Sequence, residues 1–127
     1  MVDDVGTVVN PIGLKGQIHG GVAQGLGQAL MERVVYDRGS GQMLTGSFMD
    51  YAMPRADTVP YMAVASNPVP TRRNPLGAKG AGEAGTVGAL PAIVNAVMHA
   101  LAPLGVKNFD MPATPDRIWQ AIRAARG

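Results

Sequence analysis

Cysteine is absent from the 127-residue sequence, which excludes disulfides, thiolate metal sites and cysteine nucleophiles. Charge is scarce too: charged residues make up 16%, against roughly 25% in an ordinary soluble domain. Such a surface suits a chain partly covered by other protein, although a compact domain with a polar, uncharged surface would share the composition. Net charge is +2, no basic run exceeds Arg72-Arg73, and aromatics are 5%. The clustered cationic face and stacking platform of a nucleic-acid binder are therefore missing. The two histidines, His19 and His99, lie far apart in no metal-ligand spacing, so any metal must arrive inside an organic cofactor or be ligated elsewhere. No apolar run looks long enough for a membrane span, and the N-terminus lacks the basic-then-apolar order of a signal peptide. A cytoplasmic protein with one domain over residues 1–127 is the expectation.

Glycine and proline, by contrast, are plentiful, at 17 and 10 residues. They recur singly among apolar residues, as expected where backbone must turn tightly or approach something closely. Residues 1–5 read as the end of a strand, followed by the turn signal Asn10-Pro11. From Leu14 to about Tyr36, Ile18, Val22, Leu26, Leu30 and Val34 recur every four residues and predict a helix. Gly16, Gly20, Gly21, Gly25 and Gly27 lie in that stretch, each costing about 1 kcal/mol relative to alanine in a helix interior. Close helix packing and ligand contact are equally good reasons for keeping them.

Gln42 to Tyr51 and Tyr61 to Ser66 read as extended, and Asn67 to Gly77 as a long loop of the kind that often carries function. Val87, Leu90, Val94, Val97 and Leu101 predict a second helix, starting at Gly88 to Leu90 so that Pro91 falls in its first turn. Thr114-Pro115 opens a third, expected to bury Ile118, Trp119 and Ile122. The class expected is α+β, short strands with three helices.

The chemistry concentrates in Gly77 to Gly85. Gly80-Ala-Gly-Glu-Ala-Gly85 satisfies G-x-G-x-x-G, but no strand precedes it and no acidic residue follows until Asp110, so it is no dinucleotide fingerprint. It does offer small residues with free backbone N–H groups ahead of a helix, an arrangement that binds anionic or oxo-bearing groups. Glu83 is the only carboxylate between Asp57 and Asp110. It suits a first-turn acid complementing the helix dipole, and equally an ionised proton acceptor.

Gly77-Ala-Lys-Gly-Ala-Gly-Glu83, with Thr86-Val-Gly88 and Pro91-Ala-Ile-Val-Asn-Ala-Val97, resembles the carboxylate-bearing segment of the molybdenum hydroxylases. That family comprises the xanthine dehydrogenases, aldehyde oxidoreductases and aerobic carbon monoxide dehydrogenases. Val2-Asp-Asp-Val-Gly-Thr-Val-Val-Asn-Pro11, Gly16-Gln-Ile-His-Gly-Gly21, Gln24-Gly-Leu-Gly27, Asp50-Tyr51 and Met111-Pro-Ala-Thr-Pro115 are similar to its flanking blocks, in the same order. The resemblance is greatest to carbon monoxide dehydrogenase-like large chains. It implies the C-terminal part of a molybdopterin-binding domain, with Glu83 as the active-site base that takes a proton from a molybdenum-bound hydroxyl. It also implies that Gln17 hydrogen-bonds the pterin and that the backbone of Lys79, Gly80, Ala81 and Gly82 cradles the cofactor near the metal.

The cofactor implied is molybdopterin with molybdenum, in its cytosine dinucleotide form. FAD and iron–sulfur clusters are expected in a medium and a small partner subunit. Most cofactor contacts would come from the remainder of the large subunit, and the open N-terminal edge favours self-association of the isolated chain. Three functions follow: a split or partial hydroxylase large subunit, a truncated non-catalytic binding or assembly module, and an unrelated anion- or nucleotide-binding domain.

Overall fold

A computed structural model describes residues 2–127. Three helices appear in the expected order: α1 over Pro11–Leu30, α2 over Ala84–Leu101, extended by a 3₁₀ turn at Ala102–Leu104, and α3 over Pro115–Ala125. The strand half of the α+β expectation is not realised among the described residues. Only two isolated antiparallel bridges occur, Gly6 with Ala78 and Tyr36 with Met43. An extended segment becomes a strand only when another lies about 4.8 Å away. Tyr61 to Ser66 has no such neighbour in this chain; the Met62 carbonyl meets His19 Nε2 on α1 instead, at 3.2 Å. Of the expected first strand, Met1 lies outside the described residues, and Val2 to Val5 form no ladder.

Helix α1 starts earlier than the apolar periodicity implied, because Asn10 caps it: its side-chain oxygen accepts from Gly13 N at 2.9 Å, and Pro11 takes the first turn. It also stops earlier, at Leu30 rather than Tyr36. Asp37 explains the stop, since its Oδ1 accepts from the N–H groups of Gly39 and Ser40 and from the Ser40 hydroxyl. The resulting turn folds the chain back so that Leu44 N donates to Val35 O at 2.8 Å. Val34 thus continues the four-residue spacing without continuing the helix.

Helix α2 begins at Ala84, so Pro91 sits well inside it. Proline there removes one backbone bond and normally destabilises a helix. Offsetting this is the approach of α2 to α1 through glycine alone. A Cβ on Gly21 would lie 3.0 Å from Gly85 Cα, and one on Gly85 would lie 2.7 Å from Ile18 O. Thr86 Oγ1 ties the crossing by donating to Gly21 O at 3.1 Å. Starting α2 at Gly88 would forfeit that contact.

With its 3₁₀ extension the helix runs from Ala84 to Leu104, 21 residues without a charged side chain. Contrary to the sequence expectation, this is long and apolar enough to cross a membrane by length and composition. Gly and Ala dilute its hydrophobicity along the chain, but no Asp, Glu, Lys or Arg interrupts it.

Helix α3 follows Thr114-Pro115 as expected, but Thr114 Oγ1 donates to Asp116 rather than capping an amide. The expected burial fails at Trp119, which is 56% exposed with the Arg123 guanidinium 4.9 Å from its ring centroid. Ile118 and Ile122 are half-buried. What holds this end of the chain is Ala113, whose N–H donates to Ala29 O at the end of α1.

Candidate cofactor-binding site

Residues 4–7 and 77–79 run side by side: Thr7 N donates to Gly77 O at 3.0 Å and Lys79 N to Val5 O at 2.9 Å. Gly6 (φ +64°) allows this, because a Cβ there would stand 2.2 Å from Gly77 O. The long loop before it is ordered by its own side chain. Asn74 Oδ1 accepts from Ala78 N at 3.2 Å, while Asn74 Nδ2 donates to Ala78 O at 2.9 Å. The sequence reading of Asn67 to Gly77 as a loop therefore holds, and its work is to deliver Gly80 to Glu83 to the start of α2.

There the chain opens into a hollow of about 570 Å³ lined by Val2, Asp3, Gly80, Ala81, Gly82, Glu83, Ala84, Val87 and Gly88. Among the described residues, no protein acceptor takes the N–H groups of Gly80, Ala81 or Gly82. A Cβ on Gly80 would meet nothing within 4 Å. Glu83 is exposed, occupies the N-cap position of α2 and makes no capping bond with its side chain. An acid whose only task was to cap the helix would fold back onto the first-turn amides; this one is left available. Gln17, from the exposed side of α1, joins the group: its Nε2 lies 3.8 Å from where a Cβ on Gly82 would be.

Of the residues expected at the site, Gly80, Ala81, Gly82 and Glu83 line the hollow, and Gln17 lies beside Gly82. Lys79, expected to contribute its backbone, has its side-chain Nζ paired with Asp4 Oδ2. That pairing holds the Asp4 carboxyl below the usual aspartate range, helped by the Gly6 amide. Sequence reasoning assigned no role to Asp4, nor to Val2 and Asp3 on the wall of the hollow. The Asp3-Asp4 pair was visible, but only the fold brings it beside Lys79. Free amides, a side-chain carboxamide and an open carboxylate suit a polar, anionic, oxo-bearing group. No cluster of three or more His, Cys, Asp or Glu able to hold a bare metal ion occurs among the described residues. The donor set accordingly fits a metal that enters within an organic cofactor.

A family model described as a molybdopterin cofactor-binding domain matches residues 1–60, which include Gln17 and end before Glu83. The nicotine 6-hydroxylase large subunit of Paenarthrobacter nicotinovorans is 40% identical over 126 residues, 99% of this chain and 15% of that protein. The carbon monoxide dehydrogenase large chain of Hydrogenophaga pseudoflava is 37% identical over 122 residues, 96% of this chain and 15% of that one. A crystal structure of the Cu,Mo-CO dehydrogenase in its carbon monoxide reduced state superimposes with a TM-score of 0.89 at 35% identity. It covers 98% of this chain and 16% of the solved one. The chain therefore spans about 15% of the length of the curated relatives it matches. It belongs to the family of molybdopterin-binding large chains that contains the carbon monoxide dehydrogenases and xanthine dehydrogenases.

Proposed function

We propose that this chain supplies the catalytic base and one wall of the molybdopterin pocket in a molybdenum hydroxylase large chain. The observation that carries this is the hollow at the start of α2, lined by Gly80, Ala81, Gly82 and Glu83, with the Gln17 carboxamide beside Gly82. Gly80, Ala81, Gly82 and the Gln17 carboxamide would hold polar atoms of the cofactor, and Glu83 would accept a proton beside it. The bound group supplies the oxygen-transfer and two-electron chemistry. Amide donors without protein acceptors need little rearrangement to meet such a ligand, so the wall is organised in advance. Lys79 contributes its backbone; its ammonium is engaged with Asp4.

Relatives of similar identity are named for nicotine and for carbon monoxide. A segment common to proteins with such unlike substrates is poorly suited to choosing between them, so substrate selection falls to other parts of a large chain. Partners of this kind, namely the rest of the large chain with FAD-binding and iron–sulfur subunits, belong to the same proposal. So do the cytosine dinucleotide form of the cofactor and a cytoplasmic location.

The test is to co-express the chain with the remaining subunits and compare turnover per bound molybdenum for wild type and Glu83→Gln. Loss of turnover at unchanged molybdenum and pterin content supports the reading. Turnover within threefold of wild type overturns the role of Glu83 and favours a non-catalytic assembly module.

A further inference from the structure

We propose that Asp4 and Lys79 are a positioning pair, in which Lys79 acts through Asp4 to set the entry of the Gly80 to Glu83 cradle rather than by touching a bound cofactor. The proposal rests on the reading of the hollow as a cofactor pocket, but its geometry belongs to this chain alone. Asp4 gathers three segments. Its Oδ1 accepts from Gly6 N at 2.9 Å and from Val69 N at 3.4 Å, while its Oδ2 accepts from Lys79 Nζ. It therefore links the N-terminal segment, the long loop and the residue immediately before Gly80.

The backbone bonds from Thr7 to Gly77 and from Lys79 to Val5 hold the two segments antiparallel, but neither reaches past Lys79. Gly80 and Gly82 have no Cβ to lodge against neighbours, and the amides from Gly80 to Gly82 have no protein acceptor. Such a stretch keeps one conformation only if its ends are held. Helix α2 holds the far end through Val87 N on Glu83 O at 3.0 Å. The near end is held by Lys79, whose side chain is tied at its tip by Asp4 and passes Gly6 at its Cγ, 3.2 Å from where a Cβ would be.

A free Lys79 ammonium would also be the nearest mobile cation in sequence to Glu83; paired with Asp4, it is withheld. The Asp4 carboxyl is depressed chiefly by the Lys79 hydrogen bond and then by the Gly6 amide. A depressed acid stabilises the fold above its unfolded value, near 3.8, and that contribution disappears as pH falls through the lower folded value. Asp3 and Glu83 are the ionisable side chains lining the hollow itself among the described residues, and both are carboxylic acids, so its lining holds no Lys or Arg to substitute for Lys79.

The test uses the large chain assembled with its co-expressed subunits and reads the pterin retained after gel filtration. It compares wild type, Asp4→Asn, Lys79→Met, Lys79→Arg and the double variant of Asp4→Asn with Lys79→Met. Asp4→Asn and Lys79→Met should each lose pterin and Lys79→Arg should keep it. The double variant should lose no more than either single one, because both remove the same contact. Unchanged retention in both single variants, or additive losses in the double, overturns the proposal, as does loss in Lys79→Met alone, which means that Lys79 touches the cofactor directly. Circular dichroism melting of each complex accompanies the retention, and loss of pterin with a melt unlike wild type in Lys79→Arg as well overturns the pair in favour of a general folding defect. Glu83→Gln should retain pterin and lose turnover, so failure of the pair and failure of the catalytic reading give different results.

Discussion

At the scale of single residues, the proposed chemistry turns on a carboxylate whose side chain caps nothing in the fold. Glu83 makes no capping bond with its side chain, so Glu83→Gln should leave melting temperature and cofactor content almost unchanged. Turnover per molybdenum in the assembled enzyme should fall about 10²- to 10⁴-fold, the usual contribution of a general base. Glu83→Asp should recover little, since one methylene withdraws the carboxylate by roughly 1.5 Å. Tyr51 offers a contrast, an ionisable group whose partner is structural. Its hydroxyl donates to Glu32 Oε2 at 2.6 Å, and that bond, with some desolvation, raises its pKa above 10.0. The stabilisation is present at pH below the unfolded value and vanishes as pH rises through the higher folded one. Ultraviolet titration should show one tyrosine ionising late, and Glu32→Gln should bring it back toward 10.0. An unmoved late titration in that variant would break the assignment.

At the scale of elements, the two long helices meet through backbone rather than side chains, and the glycines of α1 divide accordingly. Gly21 and Gly25 face α2; a Cβ on Gly25 would lie 2.7 Å from Ala89 Cβ. Gly16 and Gly20 face open space, with nothing within 4 Å of such a Cβ. The sequence treats these glycines alike, yet alanine should act with opposite sign at the two kinds of position. Gly20→Ala should stabilise the fold by about 1 kcal/mol through helix propensity, raising the melting temperature by about 4 °C. Gly85→Ala gains the same propensity but drives its Cβ onto Ile18 O, with overpacking of about 1 to 3 kcal/mol, and should lower it. Calorimetry on both variants decides the matter: a lower melting temperature for Gly20→Ala, or a higher one for Gly85→Ala, contradicts the crossing described.

At the scale of the whole molecule, the chain exposes more surface than a monomer of its mass should. Its accessible area is 9154 Å² at 13.2 kDa, whereas the scaling for compact monomers predicts roughly 6,400 Å². The excess, roughly 2,700 Å², is comparable to a permanent subunit interface. Apolar burial is correspondingly thin: Ala29, Ala89, Leu101, Val106 and Ala113 are the buried hydrophobic residues, and no large side chain is fully buried. Phe48 at 84% and Met49 at 93% stand out in the open. The isolated chain should therefore self-associate at micromolar concentration in sedimentation velocity, and Phe48→Ser with Met49→Ser should reduce that association. Having only part of a pocket, it should also bind molybdopterin weakly. Tight stoichiometric binding by the purified 127-residue chain would show that the hollow is sufficient alone.

The helices and the loop before the cradle were legible in the sequence, because each depends on local signals. Asn10-Pro11 and Thr114-Pro115 mark helix starts, and a glycine run before an apolar period marks an exposed backbone ahead of a helix. Family likeness is what proposes Glu83 as more than an ordinary first-turn acid. Other features depended on residues far apart in the chain. The early end of α1 came from the turn around Asp37, and the early start of α2 from Gly21 lying against Gly85. The absence of strands reflects extended segments with no neighbour to pair with. The Lys79 ammonium, to which the sequence assigned no partner, pairs with Asp4, a residue 75 positions away that only the fold makes adjacent. Spacing along a chain encodes what a residue can do locally; which oppositely charged or unpaired group it meets is a property of folded space, and tertiary structure alone decides it.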